Sequence, residues 1–250
     1  MATLLNSAKS NFAGVDPAVA TITEPTSGNL IIAVCSERSG GDATNHALTG
    51  ITGWTHTIAQ TIEQADGSHR RSHSVFWKVA GASEGTSVTF DDATSNVKWL
   101  TVYEYEFGGS EDQWILLDSA SNDNGTTDAG TTISTGTTGS QSGDMFIFGS
   151  AVLKRTTNGS ATGPWSWDTG LSLDVTFEGG SGDMDHGVGS DAEDLVTGAK
   201  SSTMTLTDHR NNLGLSAAIL VFDTVSAGGA ANPKGPFTHP FFGPFRGPIS

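Results

Sequence analysis

Metal binding and general-base catalysis both draw first on imidazole, and the chain carries seven histidines. His69 and His73 bracket Arg70, Arg71 and Ser72, whose guanidinium groups would repel a cation, so this segment reads as a solvated hairpin tip and not as a ligand pair. His46, His56, His186, His209 and His239 are scattered through loops and strand faces, and nothing in their spacing pairs one with a Ser or Cys nucleophile. No nucleophilic constellation and no cofactor motif emerges, which points away from an enzyme.

Oxygen ligands are the next source of chemistry. Asn122-Asp123-Asn124-Gly125 with Asp128 offers closely spaced carboxylates and a turn glycine, and Asp183, Asp185, Asp191, Glu193 and Asp194 form a second acidic stretch. Asp123, Asp128, Asp183 and Asp185 are the calcium candidates, but the distal Glu of an EF-hand loop is missing and solvated turns are the default for such residues. Paired carboxylates could hydrolyse a glycosidic bond only at a defined separation, which spacing alone does not give. Trp54, Trp77 and Trp99 sit in strand patterns and read as core. Trp165 and Trp167, between Pro164 and Gly170, are the candidates for an exposed platform that stacks on sugar rings.

The elements that would hold these residues repeat. Ser27-Gly28-Asn29-Leu30-Ile31-Ile32-Ala33-Val34 returns as Ser142-Gly143-Asp144-Met145-Phe146-Ile147-Phe148-Gly149, and Leu100 to Phe107 returns as Leu215 to Phe222, both at an offset of roughly 115 residues. Ser87-Val88-Thr89-Phe90 and Thr203-Met204-Thr205-Leu206 fall between these anchors in the same order. Short runs rich in Val, Ile, Thr, Phe and Trp alternate with polar, glycine-rich loops, the signature of strands. The expected fold is all-β: about a dozen strands in an antiparallel, jelly-roll-like β-sandwich with an internal two-fold repeat. Its body covers residues 1–224, with a first half over about 20–107, a crossover at 108–130 and a second half over about 131–223. One sandwich with internal pseudo-symmetry is preferred to two, because the linker lacks the composition break of a domain boundary. Trp165-Ser166-Trp167 is expected where the first half has Trp54.

Charged residues make up 16% of the chain, below the usual 25% or so, and glycine supplies 32 residues. The net charge of −15 would repel a phosphate backbone, which excludes nucleic acid as a natural partner. Cys35 is the one cysteine and lies in an apolar run, so no disulfide framework exists. No secretory leader and no apolar stretch of membrane-spanning length is seen, and a soluble protein made in a cytoplasm, without a membrane partner, is expected. The chain from 225 to 250 differs from the body. It holds three Gly-Pro-apolar units, no acidic residue, and Phe237, Phe241, Phe242, Phe245 and Arg246, so it reads as an extended arm that docks on an acidic neighbour, such as another copy of the chain, or folds back over its own sheet edge.

The succession Ser27 to Val34, Gly53-Trp54, Val75-Phe76-Trp77-Lys78-Val79-Ala80-Gly81-Ala82-Ser83-Glu84 and Ser87-Val88-Thr89-Phe90 resembles a pattern of structural proteins of tailed bacteriophages. The resemblance covers residues 20–223. It implies a β-sandwich displayed on the virion as a capsid decoration, tail fibre or adhesin module, with no catalytic residues to carry over. The expected function is a virion structural protein, exposed on capsid or tail, joined to other virion proteins or to its own copies through the arm. The alternative is a host-attachment module that binds glycan through Trp165 and Trp167.

Overall fold

β-branched and aromatic residues at alternate positions favour strands, and strands fill this chain. The structure, a computed structural model, describes residues 2–10, 16–38, 42–63, 70–91, 97–107, 112–123, 132–143, 145–154, 165–168, 170–177, 184–194, 196–206 and 215–226. The first half contains β1 (Ala2–Lys9), β2 (Ala18–Thr21), β3 (Leu30–Arg38), β4 (Leu48–Thr49), β5 (Thr55–Glu63), β6 (Arg70–Val79), β7 (Ser87–Phe90) and β8 (Lys98–Phe107), with one 3-10 turn at Ala43–Asn45. The second contains β9 (Asp112–Asp123), β10 (Thr132–Ser134), β11 (Ser140–Gln141), β12 (Met145–Lys154), β13 (Trp165–Trp167), β14 (Ser172–Phe177), β15 (Met184–Asp194), β16 (Gly198–Ala199), β17 (Thr203–Leu206) and β18 (Leu215–Ser226).

Every strand pairing is antiparallel. The first half forms a five-stranded sheet in the order β1-β8-β3-β6-β5 and a three-stranded sheet β2-β7-β4; the second forms β9-β18-β12-β15-β14 and β10-β17-β13, with β11-β16 as a two-stranded extra. Leaving out that extra pair and matching strands in chain order, the two halves have the same sheet orders. The shared register places Ile31 opposite in role to Ile147, Val102 to Ile219, and His73 to His186.

The sheets stack in four layers. The two five-stranded sheets face each other across a central cluster, to which β3 contributes Leu30, Ile32 and Val34, β8 Tyr103 and Tyr105, β12 Phe146 and Phe148, and β18 Leu220 and Phe222. Rings meet across this boundary, with Tyr105 and Phe146 centroids 4.8 Å apart and Trp77 and Phe222 5.3 Å apart. Each such buried side chain contributes about 1.5–3 kcal/mol of transfer free energy. The opposite face of β3, with Ile31, Ala33 and Cys35, packs under the outer sheet residues Ala20, Val88 and Phe90. Burial on both faces explains why β3 is apolar along most of its length.

Three boundaries differ from those expected. β1 is an edge strand of the first sheet, so that half begins at Ala2 and not near residue 20. The stretch expected as a crossover is β9, which pairs with β18 from Asp112 through Asp123 and begins the second half well before residue 131. β18 continues to Ser226, beyond the expected end of the body at 224. β9 is an edge strand whose partner β18 lies about a hundred residues away, so the pairing that defines it is not visible in the local sequence. The arm residues Phe237, Phe241, Phe242, Phe245 and Arg246 lie outside the described residues.

Candidate functional site

Alternation along a strand sends every second side chain to one face, and five polar residues fall on the inward parity of this stack. Ser36 shares a face with Leu30, Ile32 and Val34, Thr101 with Tyr103 and Tyr105, His73 with Val75, Ser150 with Phe146 and Phe148, and Ser216 with Ala218 and Leu220. His186 is the counterpart of His73 on β15. All six side chains are fully buried between the two five-stranded sheets.

They satisfy one another across the boundary. His73 reaches from the first sheet to Ser216 on β18, with Nδ1 3.0 Å from Oγ, and to Ser150 on β12, with Nε2 3.1 Å from Oγ. His186 reaches the other way, to Ser36 on β3 at 2.7 Å through Nε2 and to Thr101 on β8 at 3.0 Å through Nδ1. Each imidazole thus bridges two adjacent strands of the opposing sheet. Burial drives the His73 pKa down to about 3 and that of His186 well below its ordinary value, with the neighbouring His73 adding to the latter shift. Both rings are therefore neutral at pH 7, each with one N–H to donate and one lone pair to accept. The Thr101 hydroxyl also lies 3.4 Å from the Val34 carbonyl. If it donates there, His186 donates through Nδ1–H and accepts the Ser36 hydroxyl at Nε2.

A serine–imidazole contact at this distance is the geometry of a nucleophile with its base. Here both partners are enclosed between packed sheets, and the second ring nitrogen of each histidine is occupied by another hydroxyl instead of an orienting carboxylate. The arrangement fixes how the sheets sit on one another. It works as a pair of polar clamps within an apolar boundary.

A second grouping lies on the outer face of the first sheet. His46, in the loop after the 3-10 turn, places Nδ1 2.8 Å from Ser74 Oγ and Nε2 3.2 Å from Glu37 Oε2. Serine, imidazole and carboxylate are connected as in a hydrolase, with the ring nitrogens exchanged relative to the usual assignment. Ser74 and Glu37 are fully buried and His46 nearly so. The turn above them is fastened by Asp42, whose carboxylate accepts the Thr44 N–H, and by Thr61, whose hydroxyl accepts the Ala43 N–H. The His46 ring also packs edge-on to Phe90 at 4.6 Å. This grouping seals a loop onto β3 and β6.

The expected sites are rearranged. The segment expected as a solvated tip, His69 to His73, is fully buried at Arg71, Ser72 and His73, because β6 lies inside the sheet between β3 and β5. Trp165 and Trp167 are only 4% and 8% exposed, so neither indole offers a face to a sugar. They fill the outer core of the second half, where glycines make room for them. A Cβ on Gly187 would lie 2.3 Å from Trp165 Cε3, and one on Gly189 would lie 2.5 Å from Trp167 Cδ1. Nor does Trp165-Ser166-Trp167 stand in the place of Trp54: it is β13, the counterpart of β4, whereas Trp54 corresponds to Leu171, each following a positive-φ glycine and preceding β5 or β14.

Of the calcium candidates, Asp123 accepts a hydrogen bond from Gln60, which joins the edges of the two large sheets. Asp128 and Asp183 lie outside the described residues, as does the side chain of Asp185. No cluster of three or more potential metal ligands occurs among the described residues. His56 stacks on Phe76 at 4.1 Å, and His209 and His239 lie outside the described residues.

A cleft of about 380 Å³ lies on the outer face of the second half. Ile147, Leu171 and Ile219 form its floor and Val196, 70% exposed, its rim. Asp191, Asp194 and Lys200 line its polar side, Lys200 being paired with Asp194.

Comparison of the chain with protein-family models, with curated proteins and with solved structures gave no match. The functional reading therefore rests on the sequence motifs, the fold and the site chemistry.

Proposed function

We propose that the chain is a structural protein of a tailed-bacteriophage virion, a duplicated β-sandwich displayed on capsid or tail and joined to its neighbours through its C-terminal arm. Each half is read as a jelly roll, since strands taken in chain order wrap as 1-8-3-6 facing 2-7-4, with the fifth strand beside the sixth. The observation that carries the reading is the way the halves meet. Two sheets of identical strand order close on one core, and four hydroxyls within it, of Ser36, Thr101, Ser150 and Ser216, are held by the His73 and His186 clamps. Such a body suits a rigid spacer that presents surface, and the reading gives it no catalytic role. The phage-like motifs at Ser27 to Val34 and Val75 to Phe90 supply the setting, and the Phe-rich, acid-free segment beyond Ser226 supplies the attachment.

Particles of the virus that encodes the chain, labelled with antibody against residues 1–226 and imaged by electron microscopy, should carry label at regular positions on head or tail. A chain lacking residues 227–250 should be produced in folded form and be lost from those particles. Unlabelled particles would overturn the reading.

A further inference from the structure

Where β3 and β8 run side by side at one end of the first sheet, an amine and two carboxylates come together. Lys98 opens β8 on the parity of Leu100 and Val102, which puts its side chain on the face covered by the outer sheet, and it is fully buried. Its Nζ lies 2.7 Å from Oδ1 of Asp16, just ahead of β2. Its ladder partner is Glu37, on the parity of Ile31, Ala33 and Cys35 and also fully buried. Residues opposed in this way on one face have Cβ atoms about 4.5–5.5 Å apart. His46 Nε2, 3.2 Å from Oε2, orients the Glu37 carboxylate. Packing alone would favour an apolar side chain here: Glu37, six residues beyond Ile31, takes the place that the buried Leu153 holds six residues beyond Ile147 in the second half.

We propose that Lys98 and Asp16 become joined by an amide bond between Nζ and Cγ, with Glu37 as the proton carrier. A nitrogen 2.7 Å from Oδ1 stands about 3.5 Å from Cγ, a separation from which addition can start, and holding both groups in place supplies the effective concentration that such a condensation lacks in water. A fully buried ammonium is costly even when paired, and the amide removes both charges at once. The step balances within the chain. The Lys98 ammonium gives one proton to the Asp16 carboxylate, and the N–Cγ bond forms as the amine adds to the carboxylic acid. A second Nζ proton then passes through Glu37 to the departing hydroxyl, the Cγ–O bond breaks, and one water leaves. The Asp16 side chain, 33% exposed, gives that water a way out. Lys78 and Lys200 also meet carboxylates, at Glu84 and Asp194, but each donates to a main-chain carbonyl as well, of Thr52 and Val196, and neither has an acid as its ladder partner. The link ties the chain entering β2 of the outer sheet to β8 of the large sheet, so the two layers of the first half cannot part there without breaking a covalent bond. It does not depend on the virion reading.

Mass spectrometry of the purified full chain, denatured before measurement, tests this directly. The wild-type protein should weigh one water less than its sequence, and tryptic digestion should give a branched peptide that joins Asp16 to Lys98. Asp16→Ala and Lys98→Arg chains should each have the full sequence mass. A Glu37→Gln chain, shown to be folded by tryptophan fluorescence, should contain at least about tenfold less of the cross-linked form, as expected when a proton carrier is lost. A wild-type chain at its full sequence mass, or a lost water that maps to any other pair of residues, would overturn the bond, and the wild-type measurement decides this whether or not the variants fold. A folded Glu37→Gln chain cross-linked as completely as wild type would overturn the part given to Glu37.

Discussion

Replacing His73 with leucine should destabilise the protein far more than the small change in volume suggests. The ring is fully buried and holds two hydroxyls of the opposing sheet, Ser216 at 3.0 Å and Ser150 at 3.1 Å. Leucine preserves most of the apolar contact and leaves both hydroxyls facing hydrocarbon. Each stranded buried polar group costs about 1–3 kcal/mol, so the single substitution should cost about 2–6 kcal/mol. At about 2–4 °C per kcal/mol for a chain of this size, the melting temperature should fall by about 4–24 °C. Replacing the clamp on both sides, as His73→Leu with Ser150→Ala and Ser216→Ala, should recover most of that loss, because removing every polar partner is close to neutral. Urea unfolding followed by tryptophan fluorescence, checked by calorimetry, reads all three proteins. A His73→Leu chain within about 0.5 kcal/mol of wild type, or a triple variant no better than the single, would refute the clamp.

Three further outcomes follow from the same contacts. Stability should fall on acidification: the unfolded chain protonates its histidines near pH 6.5, while the folded chain keeps His73 neutral down to about pH 3 and His186 well below its ordinary range, so the unfolded state binds more protons between those limits. The stabilisation is complete above pH 6.5, its loss approaches about 1.4 kcal/mol per pH unit for each histidine, and chemical denaturation between about pH 6 and pH 4 should show a shallower dependence in the His73→Leu chain. Gly187→Ala should lower the melting temperature, at a cost of about 1–3 kcal/mol, because the new methyl would lie 2.3 Å from Trp165 Cε3, and adding Trp165→Leu should restore part of it; an unchanged melting temperature would mean that the ring is not seated there. A fluorophosphonate that traps activated serines should leave the native chain unlabelled at Ser74 and Ser36, as read by peptide mass spectrometry, and labelling of either would show that its enclosure opens.

The enclosed groupings left a trace in the sequence that periodicity alone reveals only when the parity of each strand is followed. His73 falls in step with Val75, Ser36 with Ile32 and Val34, and Ser216 with Leu220, so a polar residue stands where the alternation demands an apolar one. Which hydroxyl meets which imidazole was not legible, since the partners are between 77 and 150 residues apart. The same limit explains Trp165 and Trp167. Their neighbours in sequence are turn residues, but the glycines that admit them, Gly187 and Gly189, belong to another strand.

Strand content and antiparallel pairing were written into the chain, because alternation and local turn chemistry act over a few residues and survive being read one segment at a time. The tertiary structure decided what no segment can carry by itself: that two sheets close on each other, that β1 and β9 complete their edges, and that imidazoles become buried and neutral once hydroxyls from the facing sheet surround them. Solvation is the physical reason. A histidine or a tryptophan has no fixed exposure until packing removes water from it, and that removal depends on residues far along the chain.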